Sequence, residues 1–91
     1  MIHQTRLGAT RFSQLRELVR LVGNDAVTLA GNRPGKIYGQ LNCRAGKRMN
    51  ARNRVFFQNQ IEAVDAGFRP CAVCLPEAYK RWKASQEDKR T

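Results

Sequence analysis

The sequence is poor in acidic residues and lacks any long apolar run. Seven Asp and Glu stand against seventeen Lys and Arg, which gives a net charge of +10 over 91 residues. No apolar run approaches the roughly 18 residues of a membrane span, so we expect a soluble protein with no membrane partner. Positive charge at this density attracts polyanions and supports binding to phosphates through counterion release. The composition therefore predicts nucleic acid as the partner.

Cysteine and histidine are also scarce, with three and one residues respectively. Three cysteines cannot all pair with one another, and the opening residues, Met1-Ile2-His3-Gln4, lead into no apolar signal segment. We therefore expect reduced thiols in a cytoplasmic protein. Metal binding is then favoured over disulfide formation as the cross-link that a domain of this size needs.

Two of the cysteines, Cys71 and Cys74, form a Cys-x-x-Cys turn between Pro70 and Pro76. This spacing holds two thiols on one side of a tight loop, as a tetrahedral Zn²⁺ ion requires. A redox pair and two buried small residues are the alternative interpretations of the same spacing.

A complete zinc site needs ligands from elsewhere in the chain. Cys43 is the remaining cysteine, and His3 is a chemically reasonable fourth ligand because the start of a chain can fold back. Water or a side-chain oxygen are alternatives for the fourth position, and His3 is otherwise an ordinary terminal residue.

Apolar residues at helical spacing predict an N-terminal helix over residues 10–22. Thr10 is suited to its N-cap and Gly23 to its end. The four residues that form this apolar face are Leu15, Leu18, Val19 and Val22.

The remaining pattern predicts an α+β fold. Two short extended segments around the turn formers of residues 31–35, and a third apolar segment at 55–57, predict a small antiparallel sheet within residues 26–57. A capping signal at Asn59 and Glu62 begins a second helix, and Pro76 begins a third, so two helices flank the Cys-x-x-Cys turn. We predict one domain over 1–91, with a frayed basic tail at 84–91.

A basic, weakly apolar segment follows Cys43. Its composition predicts an exposed loop next to the metal rather than a core element. The five cations of this segment are Arg44, Lys47, Arg48, Arg52 and Arg54.

The order of these parts resembles the metal-binding domain of the Ada family of adaptive-response alkylation repair proteins, over about residues 35–82. The segments that carry the resemblance are Asn53-Arg54-Val55-Phe56-Phe57, Glu62-Ala63 and Ala66-Gly67-Phe68-Arg69-Pro70-Cys71-Ala72-Val73-Cys74. In that family four cysteinates hold zinc, and the first of them accepts a methyl group from a methylated DNA phosphate. The resemblance places Gly39 at the acceptor position and leaves Cys43, Cys71 and Cys74 at the other three.

The resemblance and the charge together predict a zinc-binding module that binds nucleic acid, by the resemblance DNA, without methyl transfer. The phosphate contacts are expected from Arg69 and from the five cations of the basic segment. Two alternatives stay open. One is stoichiometric methylphosphotriester repair with Cys43 as the acceptor, and the other is a zinc-stabilised protein-interaction domain.

Overall fold

A five-stranded mixed sheet carries three helices in the computed structural model, which describes residues 1–43 and 50–89 and the side chains of 1–43 and 50–86. The predicted α+β class is confirmed. The strands are β1 (Ile2–His3), β2 (Leu29–Asn32), β3 (Ile37–Gln40), β4 (Arg54–Phe57) and β5 (Arg69–Pro70), and the helices are α1 (Arg11–Gly23), α2 (Gln60–Asp65) and α3 (Pro76–Lys89).

The strands lie in the order β1-β4-β2-β3-β5. The antiparallel hairpin of β2 and β3 and its pairing with β4 form the sheet that the sequence predicts. The structure adds a two-residue strand at each edge: β1 runs antiparallel to β4, and β5 runs parallel to β3. Strands this short carry no alternating pattern, so they cannot be predicted from periodicity.

The core lies on one face of the sheet. Side chains alternate between faces along a strand, so Val55 and Phe57 share this face with Tyr38 of the neighbouring hairpin. The ring of Phe68 meets that of Phe57 edge to face, with centroids 4.9 Å apart. Phe56 points to the opposite face and is also buried, which explains why Val55, Phe56 and Phe57 of β4 form a continuous apolar run.

Helix α1 begins and ends where the sequence predicts. The Thr10 hydroxyl accepts a hydrogen bond from the Ser13 N–H at 3.1 Å, and the Ser13 hydroxyl accepts one from the Thr10 N–H. These reciprocal bonds satisfy two amide groups that the first helical turn leaves without partners. Gly23 is the last helical residue.

The inward side of α1 differs from the apolar face that the sequence predicts. Gln14 is buried and donates through Nε2 to the Gly8 carbonyl, 3.1 Å away, while its Oε1 accepts from Gln4 at 3.2 Å. Gln14 thus lies on the inward side of α1, and most of the apolar residues of this helix face solvent. The exposed ones are Phe12, Leu15, Val19 and Val22.

Helix α2 also begins at the predicted cap. Asn59 accepts a hydrogen bond from the Glu62 N–H at 2.9 Å, and the Glu62 carboxylate reaches back to the Gln58 N–H at 3.1 Å, one residue before the cap. Gly67 follows with φ +89, the left-handed conformation that glycine adopts without strain. The chain then turns into β5.

Helix α3 begins at Pro76, as predicted. It continues through Lys89, so residues 84–89 are helical where the sequence predicts a frayed tail. None of the helices in the described part of the chain combines the length and apolarity needed to cross a bilayer.

Gly31 of β2 makes room for the aromatic core, and replacing it should destabilise the fold. A Cβ at this position would lie 2.9 Å from Cε2 of Phe57 and 3.1 Å from Cε2 of Phe68. We expect Gly31→Ala to lower the unfolding free energy by about 1–3 kcal/mol, because the rings must move out of their packed positions. Urea denaturation measures this loss. Gly35→Ala is the control, since the nearest atom to its Cβ is 3.5 Å away; equal loss in the two variants would contradict this account.

Candidate metal centre

Three thiols from distant parts of the chain meet at one end of the sheet. Cys43 follows β3, Cys71 follows β5, and Cys74 precedes α3. Their sulfur atoms all lie within 4.8 Å of one another, and the sulfurs of Cys43 and Cys71 are 3.8 Å apart. Among the described cysteine, histidine and acidic side chains, no other group of three or more comes close enough to share an ion.

The convergence of three thiols, rather than two, fits a metal site. Sulfurs bound to one tetrahedral Zn²⁺ at about 2.3 Å lie about 3.8 Å from each other. A disulfide would need about 2.05 Å, and it would join two sulfurs and exclude the third. All three cysteines are free thiols. Three converging thiolates are a donor set that binds Zn²⁺ and other soft metals.

Backbone hydrogen bonds hold the three cysteines in place. The Cys71 N–H donates to the Tyr38 carbonyl at 2.8 Å, and this bond holds Cys71 against β3. Gln40 joins the other two: its carbonyl accepts from the Cys43 N–H at 3.0 Å, and its own N–H donates to the sulfur of Cys74 at 3.3 Å. N–H donors to sulfur stabilise the thiolate form that a metal requires.

The thiols differ in acidity when no metal is present. Burial raises the pKa of Cys74 to about 12, and the neighbouring thiols of Cys43 and Cys71 raise this pKa further. The hydrogen bond from the Gln40 N–H lowers it, but by less than burial raises it. Burial also acts to raise the pKa of Cys71, but hydrogen bonds from the Cys74 and Val73 backbone and from the neighbouring thiols outweigh it, so its pKa is lowered. A metal that binds here must displace protons, so binding weakens as the pH falls.

Gly39 lies against this thiol group. A Cβ on Gly39 would be 2.6 Å from the sulfur of Cys74, 3.2 Å from Cβ of Cys71 and 3.9 Å from Cβ of Cys43. A side chain at this position would therefore enter the group of thiols. Residue 39 is also the position that the sequence resemblance aligns with the acceptor cysteine.

His3 does not belong to the site, which corrects its assignment as a tentative fourth ligand. It lies in β1 and pairs with Val55 of β4, whereas the thiols lie beside β3 and β5 at the other side of the sheet. Three strand spacings of about 4.8 Å put β1 roughly 14 Å from β3. The pairing of β1 with β4 thus holds the histidine away from the thiols.

The structure describes some of the predicted phosphate-binding residues and not others. Arg44, Lys47 and Arg48 lie outside the described residues. Arg52 is exposed in the 3₁₀ turn Ala51–Asn53, and Arg54 is the first residue of β4.

Arg69 is half-buried and packs against α3. Its guanidinium lies 5.6 Å from the ring centroid of Tyr79 and 5.7 Å from that of Trp82. The two rings are 5.9 Å apart, so the cation contacts both. Such cation–π contacts stabilise each pair by about 0.5–1 kcal/mol at exposed sites, and here they join β5 to α3.

The sheet brings cations beside four adjacent strands to the end opposite the thiols. Asn32 pairs with Arg54, so Arg33 follows directly beside the start of β4. Lys36 precedes β3, and its carbonyl accepts from the Arg69 N–H at 2.8 Å. We call the set Arg33, Lys36, Arg54 and Arg69 the basic row. Arg33 and Lys36 are not among the phosphate contacts predicted from the sequence. A predicted hairpin turn with a cation at each end is a pattern that could have indicated them.

A pocket of about 260 Å³ touches both the basic row and the thiols. Its lining includes Arg54 and Arg69 as well as Cys43 and Cys71. Apolar residues supply much of the remaining wall, and they are Ala30, Ile37, Leu41, Ala72 and Val73. Sulfur atoms, positively charged side chains and apolar surface therefore line one pocket.

Metal content is the direct test of the thiol group. We expect one Zn²⁺ per chain, with loss of the metal in Cys71→Ala because two thiols remain from a set of three. Elemental analysis after dialysis measures the ratio. His3→Ala and Val73→Ala are the controls, and both should keep the metal; loss in His3→Ala would overturn the assignment given above.

A comparison with protein-family models finds one that matches residues 23–77, more than half of the chain, and that is described as the metal binding domain of Ada. The match begins and ends earlier than the range 35–82 that the sequence resemblance gave, and it includes all three cysteines. Neither the comparison with curated proteins nor that with solved structures gives a match. The family match and the three converging thiols agree, and the chain belongs to the family of Ada metal-binding domains.

Proposed function

We propose that this chain is a zinc-stabilised module that binds the phosphate backbone of DNA and does not transfer methyl groups. The basic row is the observation that carries the proposal. Its four cations come from neighbouring strands, so the hydrogen bonds of the sheet set their spacing.

The dimensions of the basic row suit a nucleic-acid backbone. Four strands at about 4.8 Å spacing extend over roughly 14 Å. One DNA strand presents a phosphate about every 3.4 Å along the helix axis, so this length faces about four phosphates. Arg33 and Lys36 are exposed, and Arg52 adds a further exposed cation in the turn before β4. Contacts of this kind fix position on the duplex without reading its sequence.

Zinc has a structural part in the proposal. The thiolates of Cys43, Cys71 and Cys74 would hold the ion and tie the end of β3 to β5 and to the start of α3. Because the unfolded chain has no preformed site, metal binding would contribute directly to the free energy of folding. The metal would then anchor the start of the basic segment that follows Cys43. We include Arg44, Lys47 and Arg48 of this segment among the phosphate contacts because of their charge and their place in the sequence.

The absence of a sulfur at position 39 supports the absence of methyl transfer. Zn²⁺ with four thiolates carries a charge of −2, whereas three thiolates with a neutral fourth donor leave −1. Lower negative charge makes each bound sulfur a poorer nucleophile. In the family that this sequence resembles, the acceptor is the first cysteine, and Gly39 has no side chain to accept a methyl group.

Salt dependence tests the basic row. We expect the chain to bind a short duplex of mixed sequence with a steep fall of log K against log salt. The double change Arg33→Gln and Lys36→Gln should reduce the slope by about 1.8, since each lost phosphate contact removes about 0.9. Fluorescence anisotropy across a salt series gives both slopes.

The control for this experiment removes the same charge elsewhere. Arg16→Gln with Lys83→Gln changes two exposed cations on α1 and α3 and should leave the slope close to that of the unmodified chain. Equal slopes for the two double variants would contradict the proposal that the basic row contacts DNA phosphates. No duplex affinity at moderate salt would favour the protein-interaction alternative.

Methyl transfer is tested by mass. The zinc-loaded chain, incubated with DNA that carries a methylphosphotriester, should keep its mass because position 39 has no sulfur. Intact-protein mass spectrometry makes the measurement, and peptide mapping locates any added methyl group. A gain of one methyl group on Cys43 would contradict the proposal and establish the repair alternative.

A further inference from the structure

The thiol group supplies three donors to an ion that takes four in its structural sites. No fourth cysteine, histidine, aspartate or glutamate joins the three among the described residues. The segment 44–49 reads Arg-Ala-Gly-Lys-Arg-Met and contains none of these four residue types. Among the side chains that the structure describes, the donor set is therefore one short.

The pocket meets the thiol group on the side where a donor is missing. Gly39, whose Cβ would enter the group, lines this pocket together with Cys43 and Cys71. Its volume of about 260 Å³ is well above that needed for one water molecule. It is somewhat smaller than the roughly 300–1,000 Å³ of drug-sized ligand sites, so it suits a small organic ligand.

We propose that the fourth donor comes from outside the chain, and that it is the sulfur of a small thiol whose apolar body lies in this pocket. The inference rests on the zinc-binding part of the proposed function. In the binding step the thiol sulfur forms a bond to the metal and the S–H proton passes to solvent, so no oxidant or reductant takes part.

Three features favour a thiol over other donors. A soft thiolate matches the other donors in kind and suits the ions that they select. The guanidinium groups of Arg54 and Arg69 in the lining offset the added negative charge. Ile37 and Val73 offer apolar surface to the carbon chain of the ligand, which a water molecule or a small inorganic anion would not use.

Cobalt provides the readout, because Co²⁺ bound to thiolates has a visible spectrum that responds to each donor. The full chain is loaded with one Co²⁺ and desalted, and 1-propanethiol is added without oxygen. We expect a saturable spectral change at one thiol per metal, and native mass spectrometry should show an adduct of metal plus thiol less one proton. 1-Propanol is the matched control that lacks sulfur, and it should change nothing.

Two variants test where the thiol binds. Gly39→Cys supplies the missing sulfur from the chain and should abolish the response, since the atom nearest to the new Cβ is the end of the Cys74 side chain, which can move aside. Val73→Ser removes apolar surface from the pocket and should weaken propanethiol binding by roughly three- to tenfold. Val64→Ser, on an exposed site of α2 outside the pocket lining, is its control and should bind as the unmodified chain does.

The outcomes separate this inference from the proposed function. A chain that holds one metal and binds duplex DNA but shows no response to propanethiol would overturn the external thiol and leave the proposed function standing. A response to imidazole alone would overturn the ligand class. A chain that takes up no metal would overturn both the inference and the zinc-stabilised module.

Discussion

The parallel pairing of β5 with β3 is the constraint on which the site depends. Its backbone hydrogen bonds include those from Arg69 to Lys36 and from Cys71 to Tyr38. Bonds of this kind stabilise a fold by only about 1 kcal/mol each, so a two-residue strand needs further support. The contacts of Arg69 with the rings of α3 supply some of it, and a metal shared by thiols from both sides of the pairing would supply more.

Charged groups near the pairing of β3 with β5 both repel and attract one another. Cations of the basic row repel one another across neighbouring strands, and a net charge of +10 adds to the repulsion. Thiolates on a metal would carry net negative charge, and Arg54 and Arg69 line the same pocket as Cys43 and Cys71. DNA phosphates would relieve the remaining repulsion. The proposed binding is therefore favoured by release of electrostatic strain as well as by direct contact.

Local signals in the sequence predicted the ends of elements well, whereas pairings between distant segments were not predictable. Thr10, Asn59 and Pro76 act through hydrogen bonds or backbone geometry within a few residues, and each begins its helix as expected. The position of His3 depends on β1 joining a strand some fifty residues away, and the alignment of Arg33 with Arg54 depends on sheet register. Periodicity alone also could not show that Gln14 would lie on the inward side of α1, with most of the apolar residues of this helix facing solvent.

Position 39 shows why membership of a family predicts the scaffold better than the chemistry. The fold and the three thiols require only that residue 39 leave β3 intact, and glycine does so at a site where a Cβ would touch the sulfur of Cys74. A glycine at this position supplies neither a metal donor nor a nucleophile, and it leaves space where a side chain would be. A metal held by three sulfurs beside an open pocket has a different reactivity from one enclosed by four. The proposed absence of methyl transfer rests on this single position, because the rest of the site provides geometry that either chemistry could use.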